Sequence, residues 1–195
     1  LEPDFDYGRW VAHREPRESA LAALTPALEA GDRNPRTHYY LTEVTDYSQD
    51  PDAQRERNHL HRVLALATED DAPLVLLCRA RLRCMLGDRQ GGHLLLEDAY
   101  QAAVAAGDSE LAVLAAVRQA ALLSRAGDVE AAHAAYQRAI RTGHPHHSFA
   151  AAFDLARMLS EAGREEEARS AYRHVMAGGH PVQGGMAAVN LGMSL

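Results

Sequence analysis

Four histidines crowd the second half of this 195-residue chain: His144, His146 and His147 in one Gly-His-Pro-His-His stretch, and His180 in a second Gly-His-Pro. Imidazole nitrogens ligate metals and serve as general bases more often than any other side chain. A zinc site needs three or four donors converging on one point. His144 and His180 are 36 residues apart. If that step is a structural repeat, they occupy equivalent positions in successive helical layers, about 10 Å apart, too far for one ion. His144, His146 and His147 offer two or three ligands locally, but neither a cysteine nor an obvious carboxylate completes the set. The competing reading is punctuation at a helix end. Gly143 takes the left-handed conformation, a histidine sits near the negative end of the helix dipole, and Pro145 blocks continuation. On that reading no metal and no cofactor is expected. It leaves the pair His146–His147, absent after Pro181, without a role.

Other reactive groups are sparse. Cys78 and Cys84 are the only cysteines, six residues apart. That is not a C-x-x-C motif, and on a helix the two lie about 600° apart, on different faces. They read as buried thiols in a reducing compartment. The run Glu165–Glu166–Glu167 suits the first turn of a helix, where negative charge meets the dipole. The stretch 87–92, Gly-Asp-Arg-Gln-Gly-Gly, lacks the flanking strand and lysine of a phosphate-binding loop and reads as an inter-helix loop. The chain contains no G-x-S-x-G and no H-E-x-x-H. No enzyme activity is expected.

Composition narrows the partners. The formal net charge is -7, and all 20 basic residues are arginine. An acidic chain lacks the basic stripe that displaces counterions from nucleic acid. No segment approaches the roughly 18–20 apolar residues of a membrane span, and no signal peptide is visible. These features point to a cytoplasmic protein of bacterial style, with neither nucleic acid nor membrane as partner. The chain opens on Leu1 rather than Met, which reads as a piece of a longer protein.

The elements that must position these side chains are written as a repeat. Tyr100, Tyr136 and Tyr172 recur every 36 residues, as do Gly107, Gly143 and Gly179. The stretch 126–132 returns at 162–168, and 150–156 returns at 186–192. Leu60, Leu64, Ala67 and Asp71 fall one period before Leu96, Tyr100, Ala103 and Gly107. Each unit reads as two helices. Ala132, Ala135, Tyr136, Ala139 and Ile140 form an apolar stripe of helical period. Gly127 ends one helix and Asp128 caps the next. Helices are predicted over 4–13, 16–30, 35–47, 52–68, 72–86, 93–106, 109–125, 129–142, 148–162, 165–176 and 182–195.

These residues resemble the tetratricopeptide repeat family, in a 36-residue variant of actinobacterial style. Ala132-x3-Tyr136 and Ala168-x3-Tyr172 match the second half of that family's pattern. Leu155-Ala156 and Leu191-Gly192 match its Leu-Gly pair, with Leu159 and Leu195 in the place of the following aromatic. Pro145 and Pro181 stand near its closing proline. Ala152 and Ala188 replace its tryptophan, and each unit is two residues longer. The resemblance is specific over 94–195 and weaker before it. It implies an all-α, right-handed superhelical solenoid of antiparallel helix pairs, about five and a half in number. Residues 1–195 then form one array: 1–71 degenerate, 72–195 clearer, the last repeat lacking its second helix.

In that family the first helix of each pair lines a concave groove. The matching positions here include Val117, Ala121, Arg125, Phe153, Arg157, Glu161, Val189 and Met193. Phe153, Val189 and Met193 read either as packing between units or as apolar groove lining. Arg118, Arg125 and Arg157 have the geometry to hold a carboxylate. The family's carboxylate clamp uses lysines and asparagines; this chain has no lysine, and Asn190 is its one suggestive amide. The expected binding set is therefore Val117, Arg118, Arg125, Phe153, Arg157, Val189, Asn190 and Met193. The expected function is a non-enzymatic protein-interaction scaffold, the recognition module of a larger regulatory or signalling protein. The alternative is a peptide-sensing regulator that binds a short peptide in the concave groove, and a third reading is a metal protein or enzyme using the histidine cluster. The uncapped C-terminal helix, 186–195, suggests a homodimer through that end.

Overall fold

The computed structural model describes residues 17–44, 53–177 and 187–188. Among the described residues there is no strand. The helices are α1 (Arg17–Glu29), α2 (Pro35–Val44), α3 (Gln54–Leu66), α4 (Ala72–Met85), α5 (Arg89–Ala105), α6 (Ser109–Arg125), α7 (Val129–Arg141), α8 (His147–Glu161) and α9 (Glu165–Ala177), with a 3₁₀ turn at Glu69–Asp71 before α4. The helices expected at 4–13 and 182–195 lie outside the described residues, apart from Ala187 and Ala188.

The 36-residue step holds at helix ends. α5, α7 and α9 stop at Ala105, Arg141 and Ala177, and α6 and α8 stop at Arg125 and Glu161. One turn design recurs. At Gly127 φ is +81°, and the Asp128 amide reaches back to the Leu123 carbonyl at 3.0 Å, closing the last turn of α6. The Asp128 carboxylate then accepts the Ala131 amide at 3.1 Å and starts α7. Asp108 does the same for α6, accepting from Leu111 at 2.9 Å.

The stretch 87–92 departs from the expected loop. Asp88 accepts the Gly91 amide at 2.8 Å, so α5 begins at Arg89 and both Gly91 and Gly92 are helical. The glycine at 92 answers to packing. A Cβ there would lie 2.3 Å from the Cys84 sulfur and 3.2 Å from the Ala80 carbonyl of α4. Two helices approach closely at this point, and the glycine at 92 is the mark of that approach. Cys78 is fully buried and Cys84 half-buried, both as free thiols.

The chain divides into two compact units between Ala102 and Ala103, near the end of α5. In the first, α1 packs on α2, α2 on α3 and α3 on α4. Tyr39, Val44, Leu60, Val63, Leu74 and Leu77 form its core. Arg81 of α4 ties this unit together. Its guanidinium bonds Glu56 of α3 and meets Glu43 of α2 at 2.5 Å, with the Thr42 carbonyl at 3.4 Å. Only 18% of the Arg81 side chain is exposed, so the partners replace water that burial removes.

In the second unit α6 packs on α7, α7 on α8, α8 on α9, and the two first helices α6 and α8 on each other. Alanines make this contact close: Ala115, Ala116 and Ala120 of α6, Ala132 and Ala139 of α7, and Ala151 and Ala156 of α8 are buried. Tyr136 and Tyr172, one period apart, are each 3% exposed. They supply the volume that the alanines leave.

Candidate functional site

The exposed side of the first helices in the second unit is charged. On α8, Asp154, Arg157 and Glu161 follow at helical spacing. Arg157 donates to Glu161 at 2.6 Å and lies 3.8 Å from Asp154. One period earlier on α6 stand Arg118, half-buried, and Arg125, exposed. Tyr136 of α7, buried, feels several of these charges. Burial pushes its phenol up to about 12, and the Asp154 charge adds to that; Arg157 and Arg125 pull the other way. Arg125, Asp154, Arg157 and Glu161, two cations and two anions, thus lie within electrostatic reach of the Tyr136 phenol.

The predicted groove residues divide accordingly. Arg125 and Arg157 are exposed, and Val117 and Arg118 are half-buried on α6. Phe153 is 5% exposed and packs edge-on against Tyr172, with ring centroids 5.8 Å apart at 62°. That contact lies within its own helix pair, α8 against α9. Val189, Asn190 and Met193 lie outside the described residues, and so does most of the segment 186–195 on which the homodimer expectation rests. Asp154 was not singled out from sequence, and Glu161 was named only among the positions matching the family's groove. Their signal was the spacing from Arg157, three before and four after, which places all three on one helix face.

The histidine cluster occupies the connection from α7 to α8. α6 and α8 begin 38 residues apart rather than 36, because this connection is longer. Gly143 takes φ +68°, as expected of a helix end. His144 acts differently from expectation. Its Nδ1 accepts the backbone amides of His146 and His147 at 3.3 and 3.2 Å, so the ring caps the start of α8 rather than complementing the end of α7. The His144 and His147 rings face each other with centroids 4.7 Å apart, while His146 is 6.3 Å from His144. His147 is 4% exposed, and its Nε2 stands 3.7 Å from Oε1 of Glu110, in the first turn of α6. A carboxylate does therefore join the histidines. The period held a partial clue, since Glu110 stands 36 residues before His146.

A groove of about 370 Å³ opens between α7, α8 and α9. Its floor is Ile140, Ala152, Leu155 and Leu159, and His133, Gln137, Glu167 and His174 stand along its rim. No described helix is long and apolar enough to cross a membrane.

No protein-family model matches the sequence, and no curated protein matches it. Among solved structures, the chain is similar to BtubC (BKLC) from P. vanneervenii, with 15% identity and a TM-score of 0.61 over 98% of this chain and 84% of that one. Two structures of MamA protein align at 17% identity and a TM-score of 0.47, over 89% of this chain and 88% and 95% of theirs. At such identities a likeness speaks to fold alone. Together with the helix order, the match to BtubC assigns this chain to the all-α solenoid class built from antiparallel helix pairs.

Proposed function

We propose that this chain is a non-enzymatic protein-interaction scaffold that serves a larger regulatory or signalling protein and engages a protein or peptide partner along its first helices. The observation that carries this reading is the alternating charge of Asp154, Arg157 and Glu161 on the open face of α8, with the exposed Arg125 one period before Glu161 on α6. Rigid helices present it, and its ion pairs are half-exposed, so a partner's charges can exchange with them at low desolvation cost. Such alternating charge selects a complementary surface rather than any anion or cation. Arg118 and Val117 extend the same face of α6 toward its middle.

The test begins with a partner found by crosslinking in cell extract and then purified. In the double variant Arg125→Glu with Arg157→Gln, the partner's Kd should rise at least about tenfold, which is about 1.4 kcal/mol. Helical circular dichroism and Tm should stay close to wild type, because both positions are exposed. An unchanged Kd would place the partner elsewhere on the chain. Turnover of a small-molecule substrate by the purified protein would overturn the non-enzymatic reading.

A further inference from the structure

We propose that Glu110, His144 and His147 form a site for a divalent transition metal ion of the zinc class, held between the first turn of α6 and the start of α8. One donor atom from each of the three lies within 4.8 Å of the others. Two imidazoles and one carboxylate are a donor set that zinc takes while keeping a fourth position open. Donors around a tetrahedral zinc stand roughly 3.4 Å apart, given bonds of about 2.0–2.1 Å. The 3.7 Å between His147 Nε2 and Glu110 Oε1 is close to that spacing and too long for a hydrogen bond.

The surroundings fit a cation better than a plain ion pair. The His147 side chain is 5% exposed and that of Glu110 is 19% exposed, so the carboxylate is largely withdrawn from water. A divalent ion compensates a half-buried carboxylate and two neutral rings at once. His144 and His147 are three residues apart across the entry to α8, with ring centroids 4.7 Å apart. The site gives the otherwise unexplained His147 a role. A neutral His144 has one ring lone pair, now shared by two amides at 3.2 and 3.3 Å. Ligation trades these long bonds for one metal–nitrogen bond. His146 lies outside the donor set.

The experiment uses tag-free protein stripped with chelator and titrated with zinc alone, with magnesium as the control. Zinc should bind at one ion per chain and raise Tm, while magnesium, which prefers oxygen ligands, should do neither. Substituting cobalt should give the intense visible absorption of a tetrahedral site. Glu110→Gln keeps the side-chain shape, and His144→Asn keeps a residue that caps helices well. Each should weaken zinc binding at least about tenfold, while His146→Ala keeps wild-type affinity. The proposal is overturned if wild-type protein binds no zinc. It is equally overturned if Glu110→Gln and His144→Asn, folded by circular dichroism, bind zinc as wild type does, or if His146→Ala alone abolishes binding.

Discussion

The ring of Phe153 on α8 meets the ring of Tyr172 on α9 edge-on, with centroids 5.8 Å apart at 62°. This contact joins a first helix to its own partner helix inside the second unit. Aromatic pairs in this arrangement add about 0.5–1.5 kcal/mol beyond the area they bury.

Phe153→Ala should therefore cost about 3–5 kcal/mol of stability, from lost burial and the cavity left behind. Phe153→Asp should unfold the second unit, because a carboxylate there has no water and no prepared partner. Urea unfolding followed by circular dichroism measures both. A loss below about 1 kcal/mol for Phe153→Ala would mean that the site collapses freely and that the contact contributes little. A binding assay on Phe153→Asp reports unfolding, so the charged residues Arg125 and Arg157 are the cleaner probes of the surface.

Gly92 and Cys84 make a second, opposite kind of contact, in which the missing side chain is the point. Gly92→Ala gains about 1 kcal/mol of helix propensity but forces a Cβ against sulfur and a carbonyl. Overpacking of this kind costs about 1–3 kcal/mol, so a net loss of about 1 kcal/mol is expected. In Cys84→Ala the sulfur is gone, and Gly92→Ala made in that background should be nearly neutral. The double-mutant cycle reads the coupling directly. Additive effects would show that the Ala80 carbonyl, not the sulfur, sets the approach.

Acid should destabilise the first unit through His38 and His59. Burial holds both imidazoles below the usual histidine range. For His38 the Asp32 carbonyl and carboxylate oppose the shift and Arg62 adds to it; for His59 the His38 charge adds to it. Their folded values lie below the unfolded value of about 6.5. Stability is therefore full above about pH 6.5 and is lost as pH falls through the folded values, where the unfolded chain binds more protons. His38→Gln should shrink the drop in urea midpoint between about pH 7.5 and about pH 5.5. An equal drop in wild type and variant would assign the acid sensitivity to other groups.

Much of the fold was legible in the sequence because its signals are local. The stripe Ala132, Ala135, Tyr136 and Ala139 spells one helix face. Gly127 and Asp128 mark an end and a start through bonds that span only five or three residues. The 36-residue period then carries those marks from one helix pair to the next, so α6 is found at its expected bounds and α7, α8 and α9 within a residue or so. What only the tertiary structure decided is lateral. Composition alone suggested a loop at 87–92, yet Asp88 starts a helix there, and position 92 is glycine because α4 lies so near. A helical period places Phe153 on a face without saying whether solvent or Tyr172 covers that face. Glu110 and His147 are 37 residues apart in the chain, and the distance between them depends on how α6 and α8 pack and on where the longer connection starts α8. Short-range hydrogen bonding and side-chain spacing are written in consecutive residues; which side chains meet across two helices is set by packing that no short stretch contains.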